Sequence, residues 1–244
     1  MFEELRYLLI QMRDRDDPMR FHEVECFARI LGVPTERIEI FDLLGPPLTD
    51  PGLAEFDVIL LGGSGDYSAA RGGEWLDRAL DSLRRVHGSG IPTFCSCWGF
   101  QAMARAMGGT VVHDLETAEI GTYELEVTEA GQDDPVFGYL GESFLAQMGH
   151  EDRVADLPPG ATLLASSSKV ENQAYRFDGA PVYCTQFHPE LSAADLLLRF
   201  QSYPHYLEVV AKITGEQLAE QLQETPESEG LVRRFVRATA LGAR

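Results

Sequence analysis

Three residues that together could carry out nucleophilic catalysis stand in separate parts of the chain. Cys97 lies between the short apolar run 91–94 and a helical pattern, so the chain must turn sharply there. A sharp strand-to-helix turn raises one side chain above the sheet and directs helix amides towards the group it attacks. A thiol is the best ordinary side-chain nucleophile near neutral pH. Because a lone cysteine is more often a small buried residue, Cys97 needs catalytic partners to count as a nucleophile.

His188 and Glu190 supply those partner types. His188 ends an apolar strand-like run, and Pro189 fixes its own φ, which holds His188 and Glu190 in a stiff extended turn. A thiol requires a base to ionise it, and the base requires an orienting group. Each residue alone is usually structural. Their joint presence, each at the carboxyl end of a predicted strand, favours one catalytic site, because in an open parallel sheet those ends share one edge.

Gly62 and Gly63 follow the predicted strand 57–61 directly. Glycines just past the carboxyl end of a strand let backbone amides approach a ligand closely. A plain turn explains them equally well when they are considered alone. Their position at the same predicted sheet edge as Cys97 makes them candidates for the site.

The elements that must position these residues alternate between strands and helices in the first half of the chain. This order predicts an α/β fold with an open, mostly parallel twisted sheet that carries helices on both faces. The predicted strands are residues 7–12, 37–41, 57–61 and 91–94, and the predicted helices are residues 24–31, 73–87 and 99–107.

The pattern changes beyond residue 109. Shorter, partly alternating runs separated by turn residues predict a few antiparallel or mixed strands that extend the first sheet. Residues 146–152 are predicted to be a polar loop, and Ser192 is predicted to cap a helix. We predict a domain of residues 1–205 and a C-terminal helical extension of residues 206–244, made of two amphipathic helices divided at residues 225–230.

The composition limits the classes of function. Of 244 residues, 39 are acidic and 20 are basic, and a net charge of −19 argues against binding to nucleic acid or an anionic membrane. No signal peptide and no apolar run of about 18 residues is found, so we expect a cytoplasmic protein. The four cysteines are too few and too irregularly spaced for a disulfide framework or a zinc site. No metal and no cofactor is expected.

Four motifs carry a resemblance to a known family. Residues 95–101 resemble the G-x-C-x-G-x-Q nucleophile motif of the class I glutamine amidotransferases, and residues 186–190 match that family's Q-F-H-P-E motif in full. Gly62-Gly63 resembles its oxyanion loop, and residues 148–150 resemble its substrate-backbone loop. The likeness covers about residues 5–200 and is similar in layout to the glutaminase domain of GMP synthase, although no synthase domain follows.

The resemblance implies a role for each matching residue. In that family's reaction, Cys97 would attack the side-chain amide of glutamine to form a γ-glutamyl thioester. His188 would move the proton from the thiol to the departing ammonia, and Glu190 would orient the imidazole. The remaining residues fall into an oxyanion pair and a substrate-binding set: the backbone N–H groups of Gly63 and Trp98, and Gly62, Gln101, Gly149 and His150.

Three positions depart from the family pattern. Cys95 stands where glycine is usual and offers a second thiol for a disulfide with Cys97. Phe100 replaces the common histidine, and Ser64 replaces the proline that usually follows the two glycines. None of these changes removes a catalytic group, but they leave the substrate open.

Three functions therefore remain at this point. The first is a glutamine amidotransferase that supplies ammonia to an unknown acceptor, such as a synthase subunit; Gln101 favours it. The second is a γ-glutamyl hydrolase or peptidase acting on γ-glutamyl conjugates, which Phe100 and the missing synthase domain favour. The third is a non-catalytic partner or sensor subunit, which an intact Cys-His-Glu set argues against. The C-terminal helices would brace the same domain or contact a partner, and a homo-oligomer is left open.

Overall fold

A nine-stranded mixed sheet organises the chain. It is seen in a computed structural model that describes residues 1–242, so Ala243 and Arg244 of the predicted C-terminal extension lie outside the described residues. The strands are β1 Tyr7–Met12, β2 Ile38–Asp42, β3 Val58–Ser64, β4 Thr93–Ser96, β5 Thr110–His113, β6 Glu119–Val127, β7 Ser143–His150, β8 Asp152–Asp156, β9 Ala161–Ser166, β10 Ala174–Phe177 and β11 Val182–Thr185.

The sheet has a parallel half and an antiparallel half. Its strand order is β2-β1-β3-β4-β11-β10-β9-β6-β7, in which β2, β1, β3, β4 and β11 pair in parallel and the remaining neighbours pair antiparallel. All six residues of β1 are buried because both faces of this central strand are covered. The predicted open, mostly parallel sheet with a mixed extension is confirmed.

Helices cover both faces of the parallel half. They are α1 Met19–Leu31, α2 Asp50–Leu53, α3 Glu74–Gly88, α4 Trp98–Ala106, α5 Glu129–Gln132, α6 Ala193–Ser202, α7 Gly215–Gln221, α8 Pro226–Glu229 and α9 Leu231–Val236, with short 3₁₀ helices at Phe2–Glu4, Thr35–Arg37 and Gly138–Leu140 and π-helical turns at Tyr206–Ala211 and Arg237–Leu241. Ser192 caps α6 through a capping box with Asp195, as its sequence predicts. Two large apolar clusters, one on each face of the sheet, form the core.

Two expectations for the second half were wrong. The predicted polar loop 146–152 is mostly strand, because β7 pairs with β6 along its whole length and the polar side chains of Gln147 and His150 are buried with hydrogen-bond partners. Strands β5 and β8 do not extend the main sheet but pair with each other. Alternation of polar and apolar residues cannot reveal this difference, since buried hydrogen bonds permit polar residues inside a strand.

The C-terminal segment packs against the first half of the chain. Leu231, Val232, Phe235 and Val236 are buried in the apolar cluster that also contains residues of β1 and α1. The predicted break at residues 225–230 contains helix α8, because Pro226 occupies its first turn, where no backbone N–H is required. Within residues 1–242, no helix combines the length and the apolarity that crossing a membrane requires.

Candidate active site

Cys97 occupies a strained turn between β4 and α4. Its backbone angles are φ 50° and ψ −104°, a region that residues with a side chain rarely adopt. The turn is fixed on both sides: Cys97 N–H donates to the Thr185 carbonyl at 2.8 Å, and Gln101 N–H donates to the Cys97 carbonyl at 3.1 Å. A strained backbone that its surroundings hold so firmly is characteristic of functional sites. The predicted sharp turn at Cys97 is confirmed.

His188 and Glu190 meet Cys97 at the carboxyl edge of the sheet. Glu190 Oε1 lies 2.6 Å from His188 Nδ1, and both side chains are buried. Burial disfavours a charged imidazole, but the Glu190 carboxylate and the adjacent, hydrogen-bonded Cys97 thiol outweigh it and raise the pKa of His188 to about 9. The same imidazole keeps the pKa of Glu190 below its usual value despite complete burial. The structure thus brings together the three residues that the sequence predicts to form a catalytic set.

The raised pKa of His188 predicts a specific pH dependence of stability. An unfolded histidine titrates near 6.5 and folded His188 near 9, so its contribution is complete below about pH 6.5 and disappears as pH rises through about 9. We expect the free energy of unfolding of the wild-type protein to fall relative to that of His188→Gln between about pH 6.5 and about pH 9. Urea unfolding of both proteins across this range measures the difference, and parallel pH curves would contradict the raised pKa.

The two predicted oxyanion donors are in different states. The N–H of Trp98 belongs to the first turn of α4, where backbone N–H groups lack acceptors within the helix. The N–H of Gly63, at the end of β3, instead donates to Oε1 of Glu23 at 3.1 Å. Sequence reasoning missed Glu23. An acidic residue four positions before Phe27, on the apolar face of α1, was the signal that could have identified it.

The predicted substrate-binding residues lie around the thiol, but several of their polar groups have protein partners. Gln101 Nε2 donates to the Asp152 carbonyl at 2.8 Å and to Gln186 Oε1 at 3.1 Å. The Gly149 carbonyl lies 3.8 Å from Cys97 Sγ. These contacts connect the start of α4 to the end of β7, so the side of the site opposite His188 is built from both halves of the chain.

The imidazole of His150 is held on both sides. Nε2 lies 3.0 Å from Glu119 Oε2, and Nδ1 lies 3.1 Å from the Asp152 carbonyl. Burial would raise the pKa of Glu119, but His150 and neighbouring donors outweigh it and lower that pKa. Contact between the His150 ring and the α-amino or α-carboxyl group of a substrate stays a prediction, and it would require His150 to exchange one of these partners.

A cavity of about 360 Å³ opens beside the thiol. Cys97, Trp98, Gln101, Gly149 and His150 form its base. The other lining residues come from three segments, including the start of the C-terminal extension: Ser64, Gly65, Asp66, Tyr67, Ser68, Arg71; His113, Leu115, Glu151, Asp152; and His205, Tyr206, Val209, Val210. Sequence reasoning did not identify this third wall, because no motif relates residues 205–210 to the site.

Cys95 faces away from the reacting thiol. It lies opposite Cys184 in the pairing of β4 with β11, and both belong to the apolar cluster under α4. Burial, followed by the proximity of Cys184, raises the pKa of the Cys95 thiol well above its ordinary value. All four cysteines, which include Cys26, are free thiols, so the structure contains no Cys95–Cys97 disulfide.

Two clusters in the described part of the chain bring three potential metal ligands within 4.8 Å of one another: His22, Cys26 and Asp195, and His113, Glu151 and Asp152. The second borders the cavity. Its His113 Nδ1 is bonded to Asp152 at 2.9 Å, and Nε2 lies 2.9 Å from the Arg71 guanidinium. Because these atoms are already paired and a positive charge lies beside them, the cluster does not fit a cation.

Comparison with known proteins agrees with this geometry. Residues 44–196 match the family model described as glutamine amidotransferase class-I. A glutamine-hydrolysing GMP synthase subunit from Methanothermobacter thermautotrophicus is 35% identical over 120 residues, which cover 49% of this chain and 62% of that protein. A GMP synthase from Christiangramia forsetii is 32% identical over 139 residues, which cover 57% of this chain and 26% of that protein. The match thus spans about a quarter of the long relative and under two thirds of the short one.

The fold has counterparts among solved structures. A glutamine amidotransferase from Thermotoga maritima superposes with a TM-score of 0.76 at 25% identity, covering 96% of this chain and 98% of that one. A protein from Methylobacillus flagellatus superposes with a TM-score of 0.69 at 21% identity, covering 97% of this chain and 94% of that one, and shows the same fold. Both alignments include the C-terminal helices, so those helices belong to a shared architecture.

Proposed function

This chain belongs to the class-I glutamine amidotransferase family, and on that premise we propose that it hydrolyses the side-chain amide of glutamine through a γ-glutamyl thioester on Cys97. The observation that carries the proposal is the strained turn at Cys97 with the buried His188–Glu190 pair beside it. A nucleophile, a base and an orienting carboxylate in this order are what amide hydrolysis by a thiol requires.

The proposed reaction proceeds in two steps. His188 accepts the thiol proton while Cys97 Sγ forms a bond to the amide carbon, and the carbonyl oxygen becomes an oxyanion. The C–N bond then breaks, and the protonated imidazole gives its proton to the leaving ammonia. Water hydrolyses the thioester with His188 as base, which releases glutamate and restores the thiol.

The oxyanion must be stabilised by backbone N–H groups, for which we propose Trp98 and Gly63. Loss of one such donor costs about 3 kcal/mol of transition-state stabilisation in comparable enzymes. We further propose that Gly62 gives the loop its close approach, and that Gln101, Gly149 and His150 position the glutamine. The lining of one cavity by the last three residues and the thiol supports this assignment.

We propose that the ammonia passes to a separately encoded synthase chain. Relatives of similar length are named as subunits of a glutamine-hydrolysing GMP synthase, and this supports a partner of that kind. The described cysteines are free thiols, which suits a reducing compartment such as the cytoplasm. Assembly of this chain with itself stays a prediction.

A second candidate is hydrolysis of γ-glutamyl conjugates. A cavity of about 360 Å³ falls in the size range of sites for drug-sized ligands, so it has room for a leaving group larger than ammonia. The same thioester would form on Cys97, with an amine as the leaving group. The two candidates therefore differ in the substrate and not in the residues that react.

Incubation with glutamine and, separately, with γ-glutamyl dipeptides tests both candidates. We expect glutamine to give equal amounts of ammonia and glutamate, and the dipeptides to react more slowly. Faster release of glutamate from the dipeptides would assign the chain to the second candidate. If neither is turned over and a glutamine-analogue electrophile does not label Cys97, both enzymatic functions are excluded and a non-catalytic role remains.

A further inference from the structure

The backbone N–H of Gly63 is already engaged. It donates to Oε1 of Glu23 at 3.1 Å, and the Glu23 side chain is completely buried. One N–H group makes one strong hydrogen bond, and that bond weakens steeply when it is bent towards a second acceptor. The Glu23 carboxylate and an oxyanion at the thiol would therefore compete for the same donor.

Three other side chains hold Glu23 in this position. Arg13 donates to both carboxylate oxygens, at 3.1 Å from Nη2 and 3.3 Å from Nε. Gln11 Nε2 donates to Oε2 at 2.9 Å, and Arg199 Nη2 lies 3.5 Å from Oε1. Pulling a carboxylate away from such buried partners is costly, since each charge would be left without compensation. The Gly63 peptide is consequently the part of this contact that is free to move.

The same charges reach the base of the catalytic set. Arg199 Nη1 lies 3.8 Å from Glu190 Oε1, the oxygen that also contacts His188. A Cβ added to Gly62 would lie 2.2 Å from Glu23 Oε1, and one added to Gly63 would lie 3.1 Å from His188 Cε1. The loop is thus wedged between Glu23 and His188, and two adjacent glycines give its peptide the freedom to rotate.

We propose that Glu23 is a positioning residue that binds the Gly63 N–H in the resting enzyme, and that turnover requires this N–H to pass from Glu23 to the oxyanion. The inference rests on the proposed glutamine hydrolysis. No covalent bond changes in this step; the N–H exchanges one acceptor for another. In the resting state the thiol and its base are in place, whereas one of the two proposed oxyanion donors is withheld.

The proposal separates two properties that a structural role would change together. Alkylation of Cys97 by iodoacetamide requires the thiol and its base but forms no oxyanion, whereas glutamine turnover requires both donors. A weaker contact between Glu23 and Gly63 should accordingly raise kcat for glutamine and leave the alkylation rate and KM unchanged, because an oxyanion is bound only in the transition state.

Glu23→Asp tests this directly. The aspartate keeps the charge that faces Arg13 and Arg199 but is one methylene too short to hold the Gly63 N–H. We expect kcat to rise about fivefold, the scale on which a charge-assisted hydrogen bond exceeds a weakened one. Asp17→Asn is the matched control: Asp17 pairs with Arg13 at 3.3 Å in the same network, and we expect its replacement to leave kcat unchanged. An unchanged or lower kcat in Glu23→Asp with a normal alkylation rate would overturn the proposal.

A measurement on the wild-type enzyme decides the matter if Glu23→Asp does not fold or alters alkylation. A crystal structure of the protein labelled on Cys97 by a diazoketone analogue of glutamine should show the Gly63 N–H directed at the carbonyl oxygen of the adduct. A Gly63 N–H still bonded to Glu23 would refute the role of Glu23. Absence of any labelling would instead contradict the proposed glutamine hydrolysis, so the two failures are distinguishable.

Discussion

Replacement of Cys97 by alanine should lower glutamine turnover by at least about 10⁴-fold, because no other side chain can form the thioester and the residual rate comes from substrate binding and oxyanion stabilisation alone. Replacement by glycine should be equally damaging to catalysis. The two variants should differ in stability, however. At φ 50° and ψ −104° alanine keeps the backbone strain, whereas glycine has no Cβ and removes it.

We expect Cys97→Gly to be more stable than Cys97→Ala by about 1 kcal/mol, the scale of the strain stored at such a position. Ammonia release measures the first effect, and urea unfolding of both variants measures the second. Lys212 offers the matched control, because it also has a positive φ, 56°, but lies in the extension and borders neither the thiol nor its base. Lys212→Gly should leave turnover intact. Activity retained by Cys97→Ala would exclude the thioester on this residue.

The sequence was sufficient for the parts of the site that depend on local geometry. A strand that ends at one position and a helix that starts at the next leave only a sharp turn at Cys97, so the strain was predictable. His188 and Glu190 lie two positions apart, and the proline between them restricts the chain enough to make their contact predictable. Strand ends of a parallel sheet share one edge, and this rule placed both segments together.

The sequence was insufficient where partners are distant and the contact is electrostatic. Glu23, Arg13 and Arg199 lie on α1, after β1 and on α6, and no local pattern states that these charges are buried together. Charged residues are mostly exposed, so burial of one is visible only when its partners are known. For the same reason the contact of Glu23 with Gly63 could not be foreseen from a glycine pair that otherwise indicates a ligand loop.

The C-terminal extension shows a related limit. Its apolar residues predicted an amphipathic helix, but a surface that binds a partner and a surface that braces the same domain have the same pattern. The structure places α9 against the sheet, where the Phe235 ring lies 5.4 Å from the Phe94 ring and 5.6 Å from the Tyr183 ring. The division at residue 205 stays a prediction. Tyr206 and Val209 line the cavity, so we propose that the extension acts with the rest of the site rather than apart from it.

Phe235→Ala should therefore destabilise the whole protein, by about 3–5 kcal/mol, the cost of deleting a fully buried aromatic ring from a core. The side chain is 0% exposed and contacts rings on β4 and β11, the two strands that deliver Cys97 and His188. Unfolding in urea, followed by fluorescence and by loss of turnover, should show one common transition at a lower midpoint. Leu198→Ala on α6 is the control, since Leu198 is 43% exposed and its loss should cost about 0.5 kcal/mol or less.

A separate result would follow if the extension were an independent unit. Phe235→Ala would then lower only an early transition that leaves the sheet folded, and turnover would be lost before the main unfolding step. The Arg233 guanidinium argues against this, because it donates to the Leu31 carbonyl at 2.7 Å and so closes the end of α1, the helix that carries Glu23. A loosened α9 would remove support from α1 and with it the carboxylate that binds the Gly63 N–H. The extension and the oxyanion loop are thus joined through one helix, and we expect them to unfold together.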